Sequence, residues 1–172
     1  SDVNGGTPGW HGKLPSLGDF ASRRLPHEFL EIWDGWLAAG LAALREARPD
    51  AWLEGYLASP IWRFLLLPGV LAGPCGQPGW TGVLMPSVDR AGRYFPLTIA
   101  SATAGAGPPT DPAWFAALAA AGVAALAEDA TLEGFEAAVA ALPPPASCAA
   151  RPFAGGMVAA QASGLVPAPA LF

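Results

Sequence analysis

The chain has 172 residues, of which 52% are hydrophobic and only 13% charged. That length suits one domain, and so apolar a composition excludes disorder of the whole chain. The net charge of −5 leaves no global basic footprint for phosphates, which argues against a nucleic-acid binder.

Taken in chain order, residues 1–8 read as a flexible N-terminal segment or an expression scar, and 9–172 as a single domain. Residues 10–14 are a candidate strand. Residues 15–25 read as a loop, with Pro15, Ser16, Gly18 and Asp19 as turn formers. Pro26 suits the first position of a helix, where its missing N–H costs nothing. Phe29, Trp33, Trp36, Leu37, Gly40, Leu41 and Leu44 then recur at three and four, one apolar helical face. Pro49 ends that helix and opens a short one holding Trp52, Leu53, Tyr56 and Leu57.

Residues 61–67 form an apolar run closed by Pro68-Gly69, a mostly buried strand. Residues 74–79 are a Gly/Pro loop. Residues 80–85 and 94–100 are two further strands, joined by the long hairpin connection 86–93, "PSVDRAGR". Pro96 inside the second of them points to an edge or a bulge, because it cannot donate to the ladder. Thr110 or Asp111 caps a helix from 112 to about 127, and Thr131 starts another reaching 142. A last strand is expected around 157–160. The order predicts a mixed α+β fold, an α/β sandwich with a largely antiparallel central sheet and helices packed on its faces.

The charge-free run 64–88 is broken by Pro and Gly too often to span a membrane, and no basic segment precedes an apolar one as in a signal peptide. Cys75 and Cys148 are expected as thiols in a reducing cytoplasm. His11 and His27 read as surface or loop residues, with no cluster suited to zinc. Trp33, Trp36, Trp52 and Trp62 fall on apolar faces and are expected in the core. Trp10 and Trp80 flank Gly-rich loops, where burial and exposure are both open. The basic residues thin out after Arg93, so the last helix pair is expected to carry an acidic, solvated face.

Three segments place polar groups inside or beside apolar strands: "GWHGKLPSLGDF" at 9–20, "SPIWRFLLLPG" at 59–69 and "GVLMPSVDRAGRYFPLTIA" at 82–100. Lys13 follows Gly12, but Leu14 stands where a phosphate-binding P-loop needs Ser or Thr, so nucleotide binding through that motif is rejected. Asp89 and Arg93 share one connection and can brace it by charge-assisted hydrogen bonds, with Gly92 at positive φ. Alternatively, this connection and the Asp19 loop form a polar surface for a partner or a small ligand. Arg63, in an apolar strand, needs a countercharge if buried, and Asp19 or Asp89 is the expected one.

These segments, in this order and spacing, resemble the TagF (ImpM) family of bacterial type VI secretion accessory proteins. The resemblance rests on Lys13, Leu14, Pro15, Gly18, Asp19 and Phe20, then Ser59, Pro60, Trp62, Arg63 and Phe64, then the run from Met85 to Arg90 with Gly92, Arg93, Phe95, Pro96 and Leu97. It covers about 10–100 well and the acidic helix pair loosely, and the Trp-rich continuation of the family is not found after Trp114. The resemblance implies a cytoplasmic, non-enzymatic regulator without a cofactor or metal. Such proteins repress type VI secretion after translation by binding a forkhead-associated (FHA) domain scaffold. Lys13, Asp19, Arg63, Ser87, Asp89, Arg90 and Arg93 are the candidate partner- or ligand-binding residues. Two other classes compete. One is a small hydrolase using Ser87 with Asp89 and a distant histidine, although no GxSxG elbow is present. The other is a structural assembly module of the secretion apparatus.

Overall fold

Alternation along the strands and a three-to-four period along the helices build two apolar layers that share one sheet. The computed structural model describes residues 6–76, 78–103 and 111–143, and the backbone of 160–161 and 164–165. Five strands form the main sheet: β1 (Gly9–Gly12), β2 (Ala21–Arg23), β3 (Trp62–Leu66), β4 (Gly79–Met85) and β5 (Leu97–Thr103). Their order is β2-β1-β5-β4-β3, and every pairing is antiparallel. Two helices, α1 (His27–Ala47) and α2 (Trp52–Leu57), cover one face. Two more, α3 (Pro112–Ala125) and α4 (Leu132–Ala140), cover the other. A two-stranded pair, β6 (Ala160–Gln161) and β7 (Gly164–Leu165), lies apart from this sheet. The expected mixed α/β sandwich is the fold observed.

The sheet sorts its side chains by parity. In β4, Trp80 and Leu84 face α1 while Val83 and Met85 face α3. In β5, Leu97 and Ile99 face α3, and Thr98 points the other way to accept a 2.8 Å hydrogen bond from the indole of Trp33. The α1 layer is aromatic: Trp80, Phe29, Trp33 and Phe64 pack in that order, with neighbouring ring centroids 4.3–5.7 Å apart. Burying such side chains stabilises the fold by roughly 1.5–3 kcal/mol each, so the stack is the heaviest part of the core. The α3–α4 layer mixes the aromatic rings of Trp10, Trp114, Phe115 and Phe135 with small residues such as Ala121 and Ala125. Trp10 and Trp80 are both buried.

Three local expectations are corrected. Residues 21–23, read as loop, form β2, whose three residues pair with β1 and carry no apolar alternation for a sequence to reveal. The strand expected at 94–100 is β5, which begins at Leu97 rather than Tyr94 and runs in the middle of the sheet rather than at an edge. The ladder starts after Pro96, which satisfies the proline without a bulge, and Tyr94 keeps only an isolated bridge to Val88. Asp111, one of the two caps expected, caps α3 by accepting from the N–H of Ala113 at 3.0 Å. His11 is buried in β1 rather than lying at the surface, with its Nε2 2.9 Å from Asp34 of α1; His27 is exposed beside Glu31. Thr131 caps α4, accepting from Gly134 at 3.1 Å. Cys75 is a buried free thiol, whereas Cys148 and most of the strand expected at 157–160 lie outside the described residues. Among the described residues no helix is long and apolar enough to cross a membrane, and no group of His, Cys, Asp and Glu gathers as a metal site.

Candidate functional site

Asp89 is the centre of the motif region. Its side chain is 0% exposed, and the sequence supplies every group that makes this burial tolerable. Gly92 takes φ +81, a conformation L side chains rarely adopt. The turn it closes brings the Gly92 N–H to the Asp89 carbonyl and the Asp89 N–H to the Arg93 carbonyl, both at 3.0 Å. The carboxylate then folds back inside its own loop. Oδ1 accepts from the N–H groups of Ala91 and Arg93 at 2.9 Å, and Oδ2 accepts from Arg93 Nε at 2.8 Å. Lys13 Nζ arrives from the other motif at 3.1 Å and is itself almost wholly buried. Burial by itself would raise the carboxyl pKa. The N–H of Arg93 and the ammonium of Lys13 outweigh it and lower the pKa from 3.8 to about 2.

The two loops are joined by more than this pair. Ser87 Oγ donates to the Lys13 carbonyl at 2.6 Å, and the Arg90 N–H donates to the Leu17 carbonyl at 2.8 Å. Arg90 Nη2 and Arg93 Nη2 donate to the carbonyls of Ser16 and Gly18. Gly12 permits the approach: a Cβ there would sit 2.2 Å from the Pro96 carbonyl oxygen. Loops 13–20 and 86–93, some seventy positions apart in sequence, therefore form one braced unit. Its floor is Tyr56 of α2, whose hydroxyl donates to the Ser87 carbonyl at 2.8 Å and accepts from the Ser87 N–H at 2.9 Å. Burial pushes that phenol well above its ordinary 10.0. Sequence reading placed Tyr56 on an apolar helical face and missed this role; only its polar tip among apolar neighbours hinted at it.

The candidate residues divide into three groups. Lys13, Ser87 and Asp89 form the buried brace. Asp19, Arg90 and Arg93 are exposed on the outer rim, where Asp19 Oδ1 accepts from the Phe20 N–H at 2.8 Å. Arg63 is separate. It lies in β3 opposite Val83, with its guanidinium over the Phe115 ring at 5.5 Å. Among the described residues it makes no ion pair with Asp19 or Asp89, so the expected pairing is wrong. The position is only half-buried in an edge strand, so the guanidinium stays in reach of water and needs no countercharge. The hydrolase reading also fails its geometric condition. Ser87 Oγ is buried and donates to a backbone carbonyl, and no imidazole lies within hydrogen-bond reach of it among the described residues.

A second charged cluster was missed altogether. Glu136 of α4, assigned by sequence to a wet acidic face, turns inward to Arg24, whose Nη1 lies 2.8 Å from Oε2, and accepts from the indole of Trp10. Arg24 sits at φ 59 and also donates to the Pro8 carbonyl at 2.9 Å. These contacts lower the Glu136 pKa against the opposing effect of burial. Between α3 and α4 runs a groove of about 310 Å³ lined by Ala121, Ala125, Thr131, Gly134 and Phe135, with Asp129 at its rim.

In sequence, the TagF N-terminal domain model, described as type VI secretion system-associated, matches residues 9–142. In structure, the chain is similar to the crystal structure of PA0076 from Pseudomonas aeruginosa PAO1, at 43% identity and a TM-score of 0.73. The match covers 82% of this chain and 64% of that one, so this chain spans about two thirds of the length of that protein. No curated protein matches it in sequence. With its three motifs, its sandwich and this match over both helix layers, the chain belongs to the type VI secretion system-associated TagF N-terminal domain family.

Proposed function

We propose that this protein is a cytoplasmic, non-enzymatic regulator that represses type VI secretion after translation by binding an FHA-domain scaffold, and that the paired loops 13–20 and 86–93 are the contact surface. One observation carries the surface assignment. The two longest motifs converge on one rigid unit whose buried half is saturated with internal bonds and whose outer half presents Asp19, Phe20, Arg90 and Arg93 to solvent. A brace this complete holds the exposed groups in fixed positions, which favours recognition because little side-chain freedom is lost on binding. The repressor role and the scaffold are carried over from the family resemblance. Arg63, on another edge of the sheet, is left out of this surface.

The test is calorimetric titration of the purified chain with its cognate FHA-domain scaffold, beside Arg93→Ala shown by circular dichroism to be folded. Saturable binding that weakens at least about tenfold in the variant is expected, since hydrogen bonds to charged groups are worth about 1.5–3 kcal/mol. Undiminished binding in the folded variant moves the interface off the loops, and absence of binding by the wild-type chain removes the scaffold from the reading.

A further inference from the structure

We propose that the loop surface recognises an acidic peptide segment of its partner, with Arg90 and Arg93 as the paired carboxylate-binding residues and Phe20 as the apolar contact beside them. This deepens the reading above and rests on its choice of surface.

The argument starts from what holds the two guanidiniums. Each has one Nη2–H fixed on a backbone carbonyl of the facing loop, Ser16 for Arg90 and Gly18 for Arg93. These carbonyls are two residues apart, so the two cations are placed side by side rather than left to wander. Arg93 spends its Nε–H on Asp89. The Nη1 group of each arginine has no protein partner among the described residues. Arg90 is exposed, and the Arg93 side chain is 57% exposed. A planar guanidinium with a free N–H edge, already fixed on its other edge, suits a carboxylate oxygen.

The surrounding charges favour the same ligand. Asp89 would oppose an incoming anion, but it is buried and neutralised by Lys13 and Arg93. Asp19 is the exposed carboxylate of this rim, and its Oδ1 is already engaged by the Phe20 N–H. It limits affinity and sets the orientation of a negative segment. Beyond this rim the chain is acidic overall, at −5, and the α3–α4 corner exposes Glu128, Asp129 and Glu133. An acidic segment is therefore repelled from that corner and admitted at the arginines. The same net charge disfavours a nucleic acid, whose phosphates extend far beyond two arginines.

Phe20 supplies the other half of the contact. Its ring packs against Phe95 at 4.8 Å and beneath the Lys13 ammonium at 4.8 Å, yet the residue remains 44% exposed. An aromatic ring fixed from behind and open in front is a contact for an apolar side chain set among acidic ones.

The experiment uses the full chain and a fluorescently labelled synthetic peptide of alternating Glu and Leu, followed by anisotropy at low salt. The control peptide carries Gln for Glu, and a third carries phosphothreonine in their place. The variants are Arg90→Gln, which leaves the Asp89 brace intact, and Asp19→Asn. The expected result is binding of the Glu peptide, about tenfold weaker in Arg90→Gln, tighter in Asp19→Asn and lost for the Gln peptide. Equal binding of the Glu and Gln peptides, no binding, or no effect of Arg90→Gln overturns the proposal; capture of the phosphothreonine peptide alone overturns the choice of carboxylate. Scaffold titrations with the same variants separate the two readings. Scaffold binding that ignores Arg90→Gln and is not displaced by the Glu peptide overturns this inference and leaves the scaffold reading intact. Peptide binding without scaffold binding does the reverse.

Discussion

Asp89 and Glu136 are both carboxylates that the fold pairs with cations, yet they sit in opposite circumstances. The partners of Asp89 are mostly local: Ala91, Arg93 and the turn made by Gly92 lie within four residues, and only Lys13 comes from afar. The partners of Glu136 are all remote, Trp10 at 126 positions and Arg24 at 112. Asp89 is sealed from water, whereas Arg24 and Glu136 keep side-chain exposures of 22% and 26%. A local, sealed cluster shapes a loop and is written into a short motif. A remote, wet cluster docks one layer of the sandwich on another and leaves no motif.

That contrast sets the size of the expected effects. Asp89→Asn is expected to do most damage, because it strands the buried Lys13 ammonium and weakens the turn. Breaking a buried pair is costly, and for a chain of this length a fall in Tm of about 10 °C is expected in a thermal melt. A fall of only a few degrees would show that water reaches Lys13 and that the cluster is not sealed. The same residue carries a pH signature. A carboxylate whose folded pKa is lowered contributes stability above its unfolded value and loses it as pH falls through the folded one. With 3.8 moving to about 2, the wild-type advantage over Asp89→Asn should be full at neutral pH and shrink between about pH 4 and pH 2. Urea melts across that range check it, and a constant difference would mean that the carboxylate is not the source.

Glu136→Gln is expected to cost about 1 kcal/mol or less, as for other half-wet ion pairs, and the loss should shrink in about 1 M salt, where the Debye length falls to about 3 Å. A loss as large and as salt-resistant as that of Asp89→Asn would erase the distinction between the clusters. Thr131→Ala, which removes the cap of the helix bearing Glu136, should cost about 1 kcal/mol. Its effect adds to that of Glu136→Gln if the cap and the ion pair hold α4 independently, and a double-mutant cycle reads this directly.

The loop brace was half legible in the sequence. Asp89, Arg93 and Gly92 could be read as one turn because charge, spacing and a glycine fall within five residues. Lys13 was singled out by its motif but not as the partner of Asp89. Arg63 lacks the partner expected of it because that expectation holds only for a buried guanidinium; its place in an edge strand relaxes the demand. His11 is buried where the sequence suggests the surface, and Glu136, although partly exposed, is paired where the sequence suggests an open acidic face. Nothing near either residue in sequence marks these contacts, and their partners Asp34, Arg24 and Trp10 meet them only across the layers.

The sequence by itself determined the four helices, the three longest strands, the cap at Thr131, a cap for α3 at one of two adjacent residues, and the positive φ of Gly92. These follow from periodicity, proline and capping chemistry acting within a few residues. Only the tertiary structure decided the rest. It set the strand order β2-β1-β5-β4-β3, the pairing of β2, the meeting of loops 13–20 and 86–93, and which charges face water. Those outcomes depend on pairings between distant segments, whose energies arise only when both partners are brought out of water together.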